Sequence, residues 1–387
     1  MTPQEFMENF GTLADAPGGI KKLRDLVLEL AIRAKLSFAL RGDDRCVDWI
    51  PKLRAESDQP AVDAPPFEIP SHWEWLRLGD VCSPIHYGYT ASADASRSGV
   101  RLLRITDIQN DRVDWKTVPG CEIDPDRLSS YELCDGDLLI ARTGGTIGKT
   151  YLVRNLAVRA VFASYLIRAV PQAPVLPEYL KAYMGSPLYW EQLYAGAAGT
   201  GQPNVNATTL KGLVLPLPPV KEQKRIVAKV DEIMALLDDL ESKQGKRQKT
   251  VVRATTACLD ALTTADSPED VADAWKRVAG NWWVLFDRPE AVEDLRKAVL
   301  ELAVRGRLVR QDAKDEPAST LLDQIARERR IALENGTTAK LVSPPTVDGD
   351  EPFELPQSWR WVRWGMLTLF SESGWSPQAD ARSRTLP

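Results

Sequence analysis

The sequence predicts an α+β protein, one mixed globular domain joined to long helices. Three features carry that reading. A helix-rich block near the N-terminus recurs late in the chain, a heptad-patterned stretch begins at Val220, and short apolar runs separated by polar, glycine-rich loops lie between them.

The duplication sets the domain plan. "LRDLVLELAIRAKL" (23–36) returns as "LRKAVLELAVRGRL" (295–308), an offset of 272, with 13 of 31 positions identical between 6–36 and 278–308. "FEIPSHWEWLRLG" (67–79) returns as "FELPQSWRWVRWG" (353–365), an offset of 286, with 7 of 13 identical. Shared helix composition explains the first block alone, but not two blocks in the same order. The second copy carries extra sequence, including the helical "STLLDQIARERRIALENG" (319–336). The plan is a helical region at 1–50, a proline-rich linker at 51–66, a globular domain at 67–216 and a central helix at 217–265. A second helical region with its linker follows at 266–350, then the truncated start of a second globular domain at 351–387. Little sequence remains after Gly365, so Trp359, Trp361 and Trp364 are expected to be exposed.

Prolines in "PLPPVKEQ" (216–223) precede the first turn of the central helix, and Glu222 stands near its positive end. Ile226, Val230, Ile233, Leu237 and Leu240 then alternate by four and three, one apolar seam with charged flanks. A rod of about 40 residues would run ~60 Å at 1.5 Å per residue. Its seam calls for a partner helix. Leu23, Leu26, Val27 and Leu30 supply one face, and Leu295, Val299 and Leu302 another.

Within 67–216, the stretches 100–108, 137–142 and 161–170 read as strands and "PEYLKAYMGSPLYWEQL" (177–193) as a helix. Polar loops separate them: 86–99, 141–153 and 196–210. The second, "ARTGGTIGKTYLV", ends like a P-loop, but the required first glycine is Thr143. β-rich sequence also follows where a P-loop needs a helix. A turn between strands is the plainer reading. A loop presenting Arg142, Thr143, Thr146 and Lys149 to a nucleic acid is a third.

Net charge is −5, so nucleic-acid binding must come from local patches or from a partner's charge. Five cysteines form no CxxC pair and there are two histidines, which argues against a zinc site and fits a reducing cytoplasm. No apolar run reaches the ~20 residues of a membrane span, and the first ten residues lack the apolar core of a signal peptide. No catalytic constellation stands out. His72 lies in the repeated motif, where its counterpart is Ser358, and the pairs Asp124/Asp126 and Asp135/Asp137 sit beside Pro125 and Gly136 as turn residues. No metal site, no catalytic residue and no enzyme activity of its own are expected.

"FEIPSHWEWLRLGDV", "LLRITDIQNDRVDW", "GDLLIARTGGTIGKTYLV", "GTGQPNVNATTLKGLVLPLPPVKEQKRIVAKVDEIM" and "KAVLELAVRGRLV" together resemble the specificity (S) subunit of type I restriction-modification systems, from about residue 6 onward. The resemblance implies two target recognition domains, each reading half of a bipartite site on double-stranded DNA. It implies two long helices packed as an antiparallel coiled coil, docking modification (M) subunits that methylate adenine with S-adenosylmethionine. Restriction (R) subunits would use ATP and magnesium, and the chain itself would bind no cofactor. Under this resemblance the loop of Arg142, Thr143, Gly144, Gly145, Thr146 and Lys149 faces DNA. Its small residues admit the backbone, while Arg142 and Lys149 meet phosphates or a guanine edge. Gln109 and Asn110 carry amides suited to adenine, and Tyr87, Tyr89, Thr90 and Ser92 contribute from the long loop.

A chain with one whole recognition domain either dimerises and reads a palindrome, or is an interrupted subunit complemented by another half. Two other classes stand beside it: an interaction scaffold without DNA specificity, and a P-loop enzyme binding ATP through Lys149.

Overall fold

The computed structural model describes residues 11–37, 40, 43, 46–55, 57–97, 99–197, 204–336, 347, 349 and 351–368. The expected features at 1–10, 369–387, most of the linker at 337–350 and the middle of the loop at 196–210 lie outside these. Two compact units, 1–244 and 245–387, divide within the central helix. No helix among the described residues is long and apolar enough to cross a membrane.

In the first unit, helix α1 (Gly19–Ile32) buries Ile20, Leu23, Val27, Ala31 and Ile32. Helix α2 (Ile50–Ala55) lies inside the proline-rich stretch and buries Leu53. Strand β1 (Glu74–Arg77) is followed by α3 (Leu78–Val81), β2 (Cys82–Tyr87) and β3 (Arg101–Leu103). The expected single strand over 100–108 is broken after Leu103, because Arg104 donates its backbone N–H to Asp107 and closes a short turn. The hairpin β4 (Ile108–Gln109) and β5 (Arg112–Val113) comes next, then α4 (Pro125–Tyr131) and β6 (Leu138–Ala141). β7 (Thr150–Leu152), β8 (Ala160–Phe162) and β9 (Leu166–Pro171) complete the middle of the domain.

Helix 177–193 divides into α5 (Pro177–Gly185) and α6 (Pro187–Ala197). Pro187 has no N–H for the first ladder and disfavours a helical Ser186, so it restarts the helix. α7 (Ala207–Gly212) is capped by Asn206, and β10 (Val214–Leu217) pairs antiparallel with β1, bringing the two ends of this stretch together.

The main sheet has the order β2-β9-β6-β7, every neighbouring pair antiparallel. Strand alternation divides its side chains. Leu138, Ile140, Leu152 and Ile167 join the core with α1, α5 and α6, while Leu139, Ala141, Tyr151 and Leu166 face a second core around Leu103 and Phe162.

The central helix α8 runs Val220–Thr264. Its N-terminal half buries Ile226, Val230 and Leu237 in one cluster with Leu23 and Val27, with Ile233 and Leu240 at the margin. α1 runs antiparallel to it: Arg24 meets Asp238 and Glu241 at 2.7 and 2.8 Å, while Ser37 donates to Glu222 at 2.7 Å. Leu26 and Leu30 lie outside this cluster and are half-buried. Glu222, fully buried, also accepts from the Trp73 indole and lies 2.8 Å from His72 Nε2, which gives His72 a structural place.

In the second unit α9 (Pro268–Gly280), α10 (Trp282–Leu285), α11 (Pro289–Val304) and α12 (Ala318–Glu334) follow. Leu259 packs with Leu295 and Ala298, Val299 lies at the edge, and Leu262 packs with Leu302. Residue numbers rise together, so α11 lies parallel to its half of α8, the opposite sense from α1. Trp361 is not left open: it packs edge-on to Phe353 at 4.9 Å and donates to its carbonyl. Trp359 is half-buried, and Trp364, in the short helix α13 (Trp364–Leu367), is exposed.

Candidate nucleic-acid interface

Sheet order determines what gathers at one edge. β2 and β6 both run antiparallel to the β9 strand between them, so they run in the same direction and their C-terminal ends leave the sheet together. Tyr87 closes β2, and Arg142 follows directly on the last residue of β6. Tyr165, just before β9, lies at the same edge, accepts the Arg142 backbone N–H at 3.0 Å and is 64% exposed.

Arg142 is held on two sides. Its guanidinium carbon stands 4.7 Å from the centre of the Tyr87 ring, and its Nε donates to Asn204 Oδ1 at 3.2 Å. Backbone contacts lock the same pair: Thr143 bridges to Asn204, and Val205 N–H donates to the Arg142 carbonyl. The Tyr87 hydroxyl accepts from Ala207 N–H at 3.2 Å. Segments of the chain from 87, 142, 165 and 204–207 thus converge.

The loop from Thr143 to Lys149 is a tight turn with Gly144 at φ 72°, and a side chain at Gly144 or Gly145 would meet open space. Gly148 is different. At φ +76° its hypothetical Cβ would stand 2.2 Å from Leu193 and 2.7 Å from Trp190, and Tyr189 donates to its carbonyl. This glycine serves packing, and strand β7 follows instead of a helix. Neither fact suits a P-loop. The Lys149 side chain is exposed.

Asn110 and Asp111 form the two-residue tip of the β4–β5 hairpin, both with positive φ, the backbone such a turn requires. Lys181 donates to Asp111 at 2.7 Å and to the Thr150 carbonyl at 2.6 Å, tethering the tip beside the exit of the 143–149 loop. Burial lowers the Lys181 pKa while Asp111 opposes that shift. Gln109 is partly committed, its amide donating to the Thr106 carbonyl.

Tyr89 is less available than the sequence suggests. Its backbone bridges to Ala163, its ring lies 5.3 Å from Tyr131, and Arg127 stands 5.5 Å above it. Thr90 and Ser92 are exposed in the following loop. Beneath Tyr87, His86 Nδ1–H donates to the Tyr87 carbonyl and Nε2 accepts from Arg168, whose cation fixes that tautomer. Burial depresses the His86 pKa and the neighbouring Arg168 adds to it, while burial raises the Asp137 carboxyl against the pull of Arg168.

Sequence reasoning missed Asn204 and Tyr165. Asn204 lies in a polar stretch already noted, but nothing local shows that it returns to a residue 62 positions earlier. Tyr165 looked like the interior of one strand over 161–170 and is instead the break between two.

Residues 70–248 match the type I restriction modification DNA specificity domain. The chain is 29% identical over 382 residues to the type I restriction enzyme EcoEI specificity subunit of Escherichia coli, covering 93% of this chain and 64% of that protein. The likeness to type I specificity subunits extends well beyond that domain, over most of this chain. The EcoAI specificity subunit, also from Escherichia coli, is 28% identical across 91% of this chain and 63% of its own length. The chain therefore spans less than two thirds of the length of these relatives. A crystal structure of the HsdS subunit from Thermoanaerobacter tengcongensis aligns with a TM-score of 0.37 at 20% identity, covering 62% of this chain and 52% of that one. The 70–248 match to the specificity domain contains every segment of the sheet edge described above.

Proposed function

We propose that the chain is the DNA-specificity subunit of a type I restriction-modification complex. Its 67–216 domain reads one half of a bipartite site on double-stranded DNA, and its helices dock the partners. M subunits bring S-adenosylmethionine and methylate adenine. R subunits bring ATP and magnesium for cleavage, and this chain contributes no catalytic group and holds no cofactor. The complex works in the cytoplasm, where the DNA lies.

One observation supports this reading above the others. The sheet edge bearing Tyr87, Arg142, Tyr165 and Asn204 is polar and cationic, and is assembled from four distant segments although the cores do not use it. A net charge of −5 suits a subunit whose partners share the neutralisation of phosphate.

The test is to co-express the chain with its M subunit in a host lacking adenine methylation and map the modified bases by single-molecule sequencing. New methylation at a bipartite motif is expected. A palindromic motif would identify two copies acting together. No new methylation, with both proteins expressed and associated, would refute the reading.

A further inference from the structure

We infer that Arg142 reads a guanine edge, and that Asn204 and Tyr87 are the positioning residues that make it selective. The inference rests on the DNA-recognition reading above and deepens it.

A guanidinium has five N–H donors in one plane. At Arg142 the Nε donor is committed to Asn204 Oδ1 at 3.2 Å, and one face of the plane is covered by the Tyr87 ring at 4.7 Å. Those two contacts fix both the tilt and the rotation of the group. The Nη1 and Nη2 donors bond to no described residue, so the remaining fork points away from its two holders. Guanine offers O6 and N7, two adjacent acceptors that match such a fork, whereas adenine places a donor beside N7 and repels it. A phosphate also accepts a fork, but it places no demand on rotation about the side-chain axis. Holding the plane by stack and hydrogen bond together is what reading a planar base edge requires. Exposed Lys149 and the open Gly144-Gly145 backbone are available for the phosphates.

Asn204 is itself anchored by its backbone bridge to Thr143, and Tyr87 by its hydroxyl bond to Ala207. Three chain segments, at 87, 142–143 and 204–207, therefore set one guanidinium. An arginine serving only as a surface charge needs none of this.

The test uses the full chain with its co-expressed M subunits and a library of duplex DNA randomised across one half-site. Bound molecules are sequenced, and the affinity for a fixed duplex is measured against salt. The wild type should show a preference for guanine at one position. Arg142→Lys keeps the charge but loses the fork, and should reduce that preference roughly 10–100-fold while leaving other positions unchanged. Asn204→Ala should weaken the same position and no other, with the salt dependence of binding unaltered. Tyr87→Leu removes the ring that covers one face of the guanidinium and should weaken the same position and no other. The preserved positions show that each variant is folded.

Arg142→Lys leaving every position as in the wild type would overturn the inference, as would a uniform loss across all positions, the signature of a phosphate contact. A wild-type complex without preference at any position would instead refute the DNA-recognition reading, and the inference with it.

Discussion

The guanidinium of Arg33 lies 4.2 Å from the centre of the Phe67 ring, and that of Arg305 lies 4.8 Å from the Phe353 ring. The two arginines are 272 positions apart and the two phenylalanines 286, so the same contact joins both duplicated blocks across the inserted sequence. Each phenylalanine meets a tryptophan edge-on at 4.9 Å, Trp75 in one copy and Trp361 in the other. The duplicated unit is thus a helix end clamped to an aromatic pair, repeated whole.

The repeat also exposes a local weakness. Each duplicated helix ends in a left-handed residue, Gly306 at φ 68° in α11 but Ala34 at φ 55° in α1. A Cβ in that region costs about 1–2 kcal/mol, partly offset by the chain entropy of glycine. Ala34→Gly should stabilise the protein by about 0.5–1 kcal/mol, measured by chemical denaturation. A loss of stability would contradict the shared end geometry.

Equivalent positions in the two helices should respond in opposite ways. Ile32 is fully buried, whereas its counterpart Val304 is 58% exposed. Ile32→Glu would bury an unpaired charge and should destabilise by roughly 3–5 kcal/mol. Val304→Glu should change stability by less than about 0.5 kcal/mol. Similar unfolding curves for the two variants would show that the two copies pack alike.

Gly148 should be irreplaceable and Gly145 tolerant. Alanine at 148 combines a left-handed backbone with a collision against buried Leu193, so Gly148→Ala should lose roughly 2–4 kcal/mol. Gly145→Ala meets open space and should fold as the wild type does. Equal stability of the two variants would dismiss the packing role.

His86 gives the first unit a dependence on pH. Its folded pKa is lowered from the ordinary 6.5 by burial and by Arg168, so as pH falls the unfolded chain takes up the proton first. The contribution of neutral His86 is complete above about pH 6.5 and declines as pH falls toward the folded value. Melting temperatures between about pH 7.5 and about pH 5.5 should fall less steeply in His86→Gln, which can still accept from Arg168 without titrating in that range. Parallel curves would remove His86 from the account.

What could be read in advance follows from how local each signal is. The central helix was placed at 217–265 and spans Val220–Thr264, because its prolines and heptad seam are contained in its own sequence. The face of α1 was harder. Residues 26–28 and 30–32 are apolar almost all round, so periodicity could not show that Val27 and Ile32 enter the core while Leu26 and Leu30 do not. Pairing sense was also hidden, since nothing within α11 distinguishes a parallel from an antiparallel neighbour. At the site, Arg142 and its loop were visible as residue types, but the strand order that brings Tyr87 beside it is a property of the whole sheet. Asn204 was beyond reach for the same reason.

The most direct test of the central claim is the affinity of the complex for duplex DNA carrying its methylated motif, measured for the wild type and for Arg142→Ala with Lys149→Ala. Co-purification of the M subunit serves as the control for assembly. The account expects the double variant to lose about 10-fold or more in affinity while assembling normally, two charged contacts having been removed. Full DNA affinity in the double variant would contradict it.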